Sequence, residues 1–129
     1  MIQRFPDKLS SSFSRITTVD LGTSLLVFVA GHVGMPPEGP PRVVAENFEE
    51  EVRLCFENIA IALADVNGTL KDLVKINCFL TSVDDYPTYT KVRDRLLAGA
   101  LPASATVIVA GLLVNARLEI DGTAVVKKS

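Results

Sequence analysis

Hydrophobic positions change their spacing several times along the chain, and each change marks an element. Residues 15–30, RITTVDLGTSLLVFVA, set β-branched and aromatic side chains on both sides of Gly22-Thr23-Ser24, which predicts two strands joined as a hairpin. In the next stretch, GHVGMPPEGPPR, glycines and prolines fix dihedrals and remove backbone donors, so it is expected to form an exposed loop. From about Glu46 to Val66, the apolar residues Phe48, Val52, Cys55, Phe56, Ile59, Leu63 and Val66 recur every three or four positions. That spacing predicts a helix, with Gly68 as its stop and with Glu49, Glu50, Arg53, Glu57 and Asp65 on a solvated outer face. The segment LVKINCFLTS alternates Val74, Ile76, Cys78 and Leu80 with Leu73, Lys75, Asn77 and Phe79, as a strand does. A second helix follows, capped by Asp84 or Asp85, with Pro87 in its first turn and a stripe of Tyr89, Val92, Leu96 and Leu97, ending near Gly99. Residues 105–110 and ARLEIDGTAVV supply two last strands.

Strand, strand, helix, strand, helix, strand, strand is the order of an α+β fold, one mixed sheet covered on one face by two helices. A length of 129 residues with 48% hydrophobic content suits a single domain spanning 1–129. Thirteen basic residues against fifteen acidic ones leave a formal net charge of −2, without the basic excess of a nucleic-acid binder. The apolar runs are too short to span a bilayer, and the first residues lack the build of a secretory signal. Cys55 and Cys78 fall within apolar patterns, which points to reduced, buried thiols in a cytoplasmic protein. One histidine and two separated cysteines do not assemble a metal site, and no dinucleotide or phosphate-loop spacing occurs, so no cofactor and no metal are expected.

Strands 25–30 and 105–110 are apolar on both faces, whereas two helices cover only one face. The other face therefore calls for a partner, and a closed homo-oligomer would supply it while creating clefts between subunits.

Five segments, DLG (20–22), AGHVG (30–34), LKDLVKINCFLTSVDDY (70–86), LPASATVIVA (101–110) and LEIDGTAV (118–125), together resemble the YjgF or Rid family, the reactive intermediate deaminases also labelled L-PSP endoribonucleases. The resemblance implies a chorismate-mutase-like protomer and a homotrimer with a central β-barrel, binding a small-molecule ligand, a carboxylate or imine, in clefts between subunits. It implies hydrolysis of an imine or enamine, with Glu119 positioning the attacking water; a strand residue facing Arg117 or a neighbouring chain is the alternative role for Glu119. Deaminating relatives resemble Pro-Ala-Arg-Ser where this chain has Pro102, Ala103, Ser104 and Ala105. Ser104 thus stands in place of the arginine that grips a substrate carboxylate, and one neutral hydrogen bond replaces a charge-assisted fork. This makes the chain a divergent member, with an altered substrate or, alternatively, a non-catalytic ligand-binding or regulatory trimer.

The resemblance also places Gly31, Tyr86 and the strand-edge amide near Thr106 in the cleft. Tyr86 is equally a staple for the second helix. His32 stands where many relatives carry glutamine, and its roles are cleft chemistry or a hydrogen-bonded structural group. Arg15 falls where relatives have a cleft tyrosine; it returns the positive charge missing at Ser104, or else is a solvated or ion-paired residue of the first strand. The endoribonuclease label finds no basic groove with interleaved aromatics to support it.

Overall fold

All the period-two segments join one sheet. A computed structural model describes residues 1–129. Its strands are β1 (Ile2–Pro6), β2 (Ser14–Asp20), β3 (Ser24–His32), β4 (Leu73–Leu80), β5 (Ala103–Ile108) and β6 (Leu118–Lys127), arranged β1-β2-β3-β6-β4-β5. Every pairing is antiparallel except β4 with β5, which are parallel and joined through helix α2 (Tyr86–Leu96). Helix α1 (Phe48–Ala64) lies with α2 on one face, so the α+β layering read from the sequence holds. Ile16, Val27, Ile76, Cys78, Leu80, Leu118 and Ile120 from the sheet meet Val52, Phe56, Ile59, Leu63, Tyr89 and Val92 from the helices in one core.

The hairpin turn lies where expected. Gly22 takes φ +101, a conformation open to glycine, while its amide is held by Asp20 Oδ1 at 2.8 Å. Asn47 caps α1 by accepting from the Glu50 amide, and the Gly68 amide closes the other end on Leu63 O at 2.9 Å.

Four expectations need correction. First, residues 2–6 form a strand that the sequence reading passed over; β1 is an edge strand with mostly exposed side chains, so little burial imprints a pattern on it. Second, Val74 is 47% exposed whereas Leu73 is buried, because the β4–β6 register shifts between Leu73 and Lys75 and the bulge exchanges their faces. Third, neither acidic side chain caps the second helix: Ser82 Oγ accepts from the Asp84 amide and caps a 3-10 turn over Val83–Asp85, while Asp85 makes no capping bond. Fourth, the loop after β3 is only partly exposed. Asn58 Nδ2 donates to Val33 O and Met35 O, and Val33, Val43 and Ala116 form a small second core.

Both cysteines are free and buried; burial first, and for Cys55 also the nearby Cys78, raise their thiol pKa values, Cys78 to about 12. No helix is long and apolar enough to cross a membrane. The outer strand β5 runs past the helices and is uncovered on both faces.

Candidate functional site

Glu119 sits at the start of β6, paired with Phe79 of β4, so it faces away from the helices. The backbone of Gly31 lies directly against it. A Cβ at residue 31 would collide with Glu119 Oε2 and stand 3.0 Å from Cδ, so any larger residue there must displace the carboxylate. No hydrogen bond from the chain reaches this carboxylate; burial, and then the charge of Asp121 on the same face, push its pKa above the usual value. Asp121 itself accepts from Asn77 Nδ2 at 2.7 Å. A carboxylate with free lone pairs and a raised proton affinity can hold a water molecule and take its proton. Arg117, the alternative neighbour considered for Glu119, instead points to Glu51.

The second cluster forms on the other side of the sheet. Ser104, Thr106 and Ile108 of β5 pair with Ile76, Cys78 and Leu80, which fixes them on the helix side. Because β5 extends beyond α2, their side chains line an open groove of about 340 Å³ together with Val83, Tyr86 and Arg93. Tyr86 begins α2, with its ring centroid 6.3 Å from that of Tyr89, and it walls the groove. Arg93 was missed in the sequence reading. The available signal was its position two helical turns after Tyr86, on the same face of α2.

The remaining candidates lie elsewhere. Arg15 donates from Nε to Asp65 Oδ2 at 2.7 Å and from Nη1 to Pro6 O at 2.7 Å, so its guanidinium is held beside the end of α1. Within one chain, β2 and β5 are four strand spacings apart, about 19 Å. His32 Nδ1 lies 2.7 Å from Ala30 O; burial lowers its pKa, and its charged neighbours are Asp7 and Arg15 rather than Glu119 or Ser104. Ser104 and Glu119 themselves occupy opposite faces, two strand spacings or about 10 Å apart. One chain thus carries two separate clusters, Glu119 with Gly31 and the Ser104–Thr106–Tyr86–Arg93 groove.

A further feature escaped the sequence reading. Glu51, on α1 among residues of mixed polarity, is fully buried and accepts from Arg117 N at 2.7 Å and Arg117 Nε at 2.6 Å. Arg117 also donates to Ala45 O at 2.9 Å and lies over the Phe48 ring. This pair anchors the chain two residues before Glu119.

Several known proteins are similar to this chain in sequence and fold. The 2-iminobutanoate/2-iminopropanoate deaminase of Dermatophagoides farinae is 29% identical over 101 residues, 78% of each chain. The mitochondrial protein MMF1 of Saccharomyces cerevisiae is 31% identical over 101 residues, 78% of this chain and 68% of that protein. The crystal structure of yeast Mmf1 superposes with a TM-score of 0.84 at 26% identity, covering 99% of this chain and 100% of that one. RidA from an Antarctic Psychrobacter gives a TM-score of 0.76 at 29% identity over 98% and 97% of the two chains. Residues 9–126 match the Endoribonuclease L-PSP family, and the chain belongs to that family, also called YjgF or Rid.

Proposed function

We propose that this protein hydrolyses a small imine or enamine to a carbonyl compound and ammonia, in a cleft completed by a neighbouring copy within a homotrimer. The observation that carries the reading is Glu119, half-buried, unbonded within the chain and packed on Gly31, with its proton affinity raised. In the reaction Glu119 takes a proton from water as the oxygen bonds to the C=N carbon. Glu119 returns that proton to the nitrogen, giving a carbinolamine; the carbinolamine hydroxyl then loses its proton to the nitrogen, and ammonia leaves as C=O forms, with Glu119 again ionised. The relative from Dermatophagoides farinae is named for deaminating 2-iminobutanoate and 2-iminopropanoate, which supports this reading.

Two features support the trimer. Parallel strands are normally buried on both faces, yet β5 leaves Val107 and Ile108 about half exposed, at 48% and 50%. The separation of the Glu119 and Ser104 clusters on opposite faces also makes a seam between copies the natural place for them to meet. The protein is cytoplasmic in this proposal, in keeping with its two free thiols.

The test couples an amino-acid oxidase, which generates imines in place, to a measurement of ammonia release. Glu119→Gln is expected to lose about 100-fold or more in turnover while sedimenting as the same trimer. Full turnover by Glu119→Gln, or a stable monomer, would overturn the proposal. Ser104, a single neutral donor in place of an arginine, favours a second reading as a ligand-binding or regulatory trimer. Ligand binding without ammonia release would select it.

A further inference from the structure

Beside Ser104, where β5 offers only a hydroxyl, the groove nevertheless contains a cation. Arg93 lines it together with Ser104, and the same two residues also line the adjoining hollow of about 280 Å³ toward Leu97 and Pro102. We propose that Arg93 on α2 is the carboxylate-binding residue of this cleft, doing from a helix what β5 lacks at Ser104. The inference rests on the reading of the Ser104 groove as the ligand cleft.

Its geometry suits the task. The Arg93 side chain is 22% exposed, and its Cζ lies 5.4 Å from the centroid of the Tyr89 ring. Tyr89 is fully buried and stacks on Phe56 with an interplanar angle of 8°, so the surface under the guanidinium is rigid. A planar cation resting on a fixed ring is already oriented before a ligand arrives. Nε donates to Asp94 Oδ1 at 3.0 Å, and Nη2 is 3.0 Å from that same oxygen. Asp94 is 69% exposed on its side chain, and such a solvated ion pair yields readily to a competing anion.

The other walls define the ligand. Val83, Tyr86 and Ile108 supply apolar surface, Ser104 and Thr106 supply hydroxyls, and Arg93 is the only charged lining residue of the groove. One guanidinium matches one negative charge, so the fit is a small monocarboxylate with a short apolar body; a phosphate dianion would leave a charge unmatched. Arg15, engaged by Asp65 and Pro6, is not needed for this contact.

Pyruvate and its uncharged amide, pyruvamide, serve as probes, with binding followed by calorimetry and by the amide signals of Ser104 and Thr106. Arg93→Met is expected to weaken pyruvate binding about tenfold or more while leaving pyruvamide unchanged. Arg93→Lys is expected to keep part of the affinity, and Asp94→Asn to tighten pyruvate about twofold to fivefold by removing a competing anion. Thermal unfolding confirms that each variant folds, and Arg93→Gln replaces Arg93→Met if the latter does not. Equal pyruvate affinity in wild type and Arg93→Met overturns the role of Arg93 and leaves the cleft reading intact. Equal weakening of pyruvate and pyruvamide overturns it in favour of a packing role. No shift of the Ser104 or Thr106 amide at saturating pyruvate in the wild type overturns the cleft and Arg93 together.

Discussion

Replacing Glu51 by leucine removes the fully buried carboxylate that holds Arg117. Two contacts are lost, from Arg117 N at 2.7 Å and Nε at 2.6 Å, and hydrogen bonds involving a charged group contribute about 1.5–3 kcal/mol each. Arg117 is 36% exposed on its side chain, so water recovers part of its solvation, and the expected loss falls to about 2–4 kcal/mol. For a chain of this size that corresponds to a fall in Tm of about 6–15 °C. Urea unfolding of Glu51→Leu, Arg117→Met and the double variant, at one fixed protein concentration because assembly adds to stability, isolates the pair. A coupling of at least about 1.5 kcal/mol is expected, since Arg117→Met alone strands a buried anion and the double variant does not. Coupling below about 0.5 kcal/mol would show that the ion pair is incidental and that the start of β6 is held by packing.

Gly31→Ala would force a methyl against the Glu119 carboxyl, whose Cδ is only 3.0 Å from the new Cβ. Moving that carboxyl by a fraction of an ångström should lower kcat by about 10–100-fold with little change in Tm, and unchanged turnover would detach Glu119 from the chemistry. Burial depresses the pKa of His32 from the ordinary 6.5, so folding disfavours its protonation. The unfolded chain then binds more protons between the folded value and 6.5, and stability should fall as pH drops through that window. His32→Gln should flatten this part of the urea-midpoint profile between pH 7.5 and 5; identical profiles would remove His32 as the cause.

Much of the fold was legible because burial on one side of an element leaves a period in the chain. The apolar spacing from Phe48 to Leu63 marked α1, the alternation of Ile76, Cys78 and Leu80 marked the core face of β4, and Gly22-Thr23-Ser24 marked the hairpin turn. The five matching segments identified the family and pointed to Glu119 and Gly31, which do lie in contact. Periodicity cannot record what depends on register or on elements distant in sequence. A bulge exchanged Leu73 and Val74, and an edge strand with solvent on both sides left residues 2–6 without a signature. Glu51 has no signature in its own stretch of sequence, because its partner Arg117 comes from β6, 66 residues later. The faces of Ser104 and Glu119, and the meeting of Arg93 with Ser104 along one groove, were decided only by the β4–α2–β5 crossover and the pairing of β6 with β4. Local sequence determines which side of each element avoids water, whereas tertiary packing determines which of those sides, and which charges, face one another.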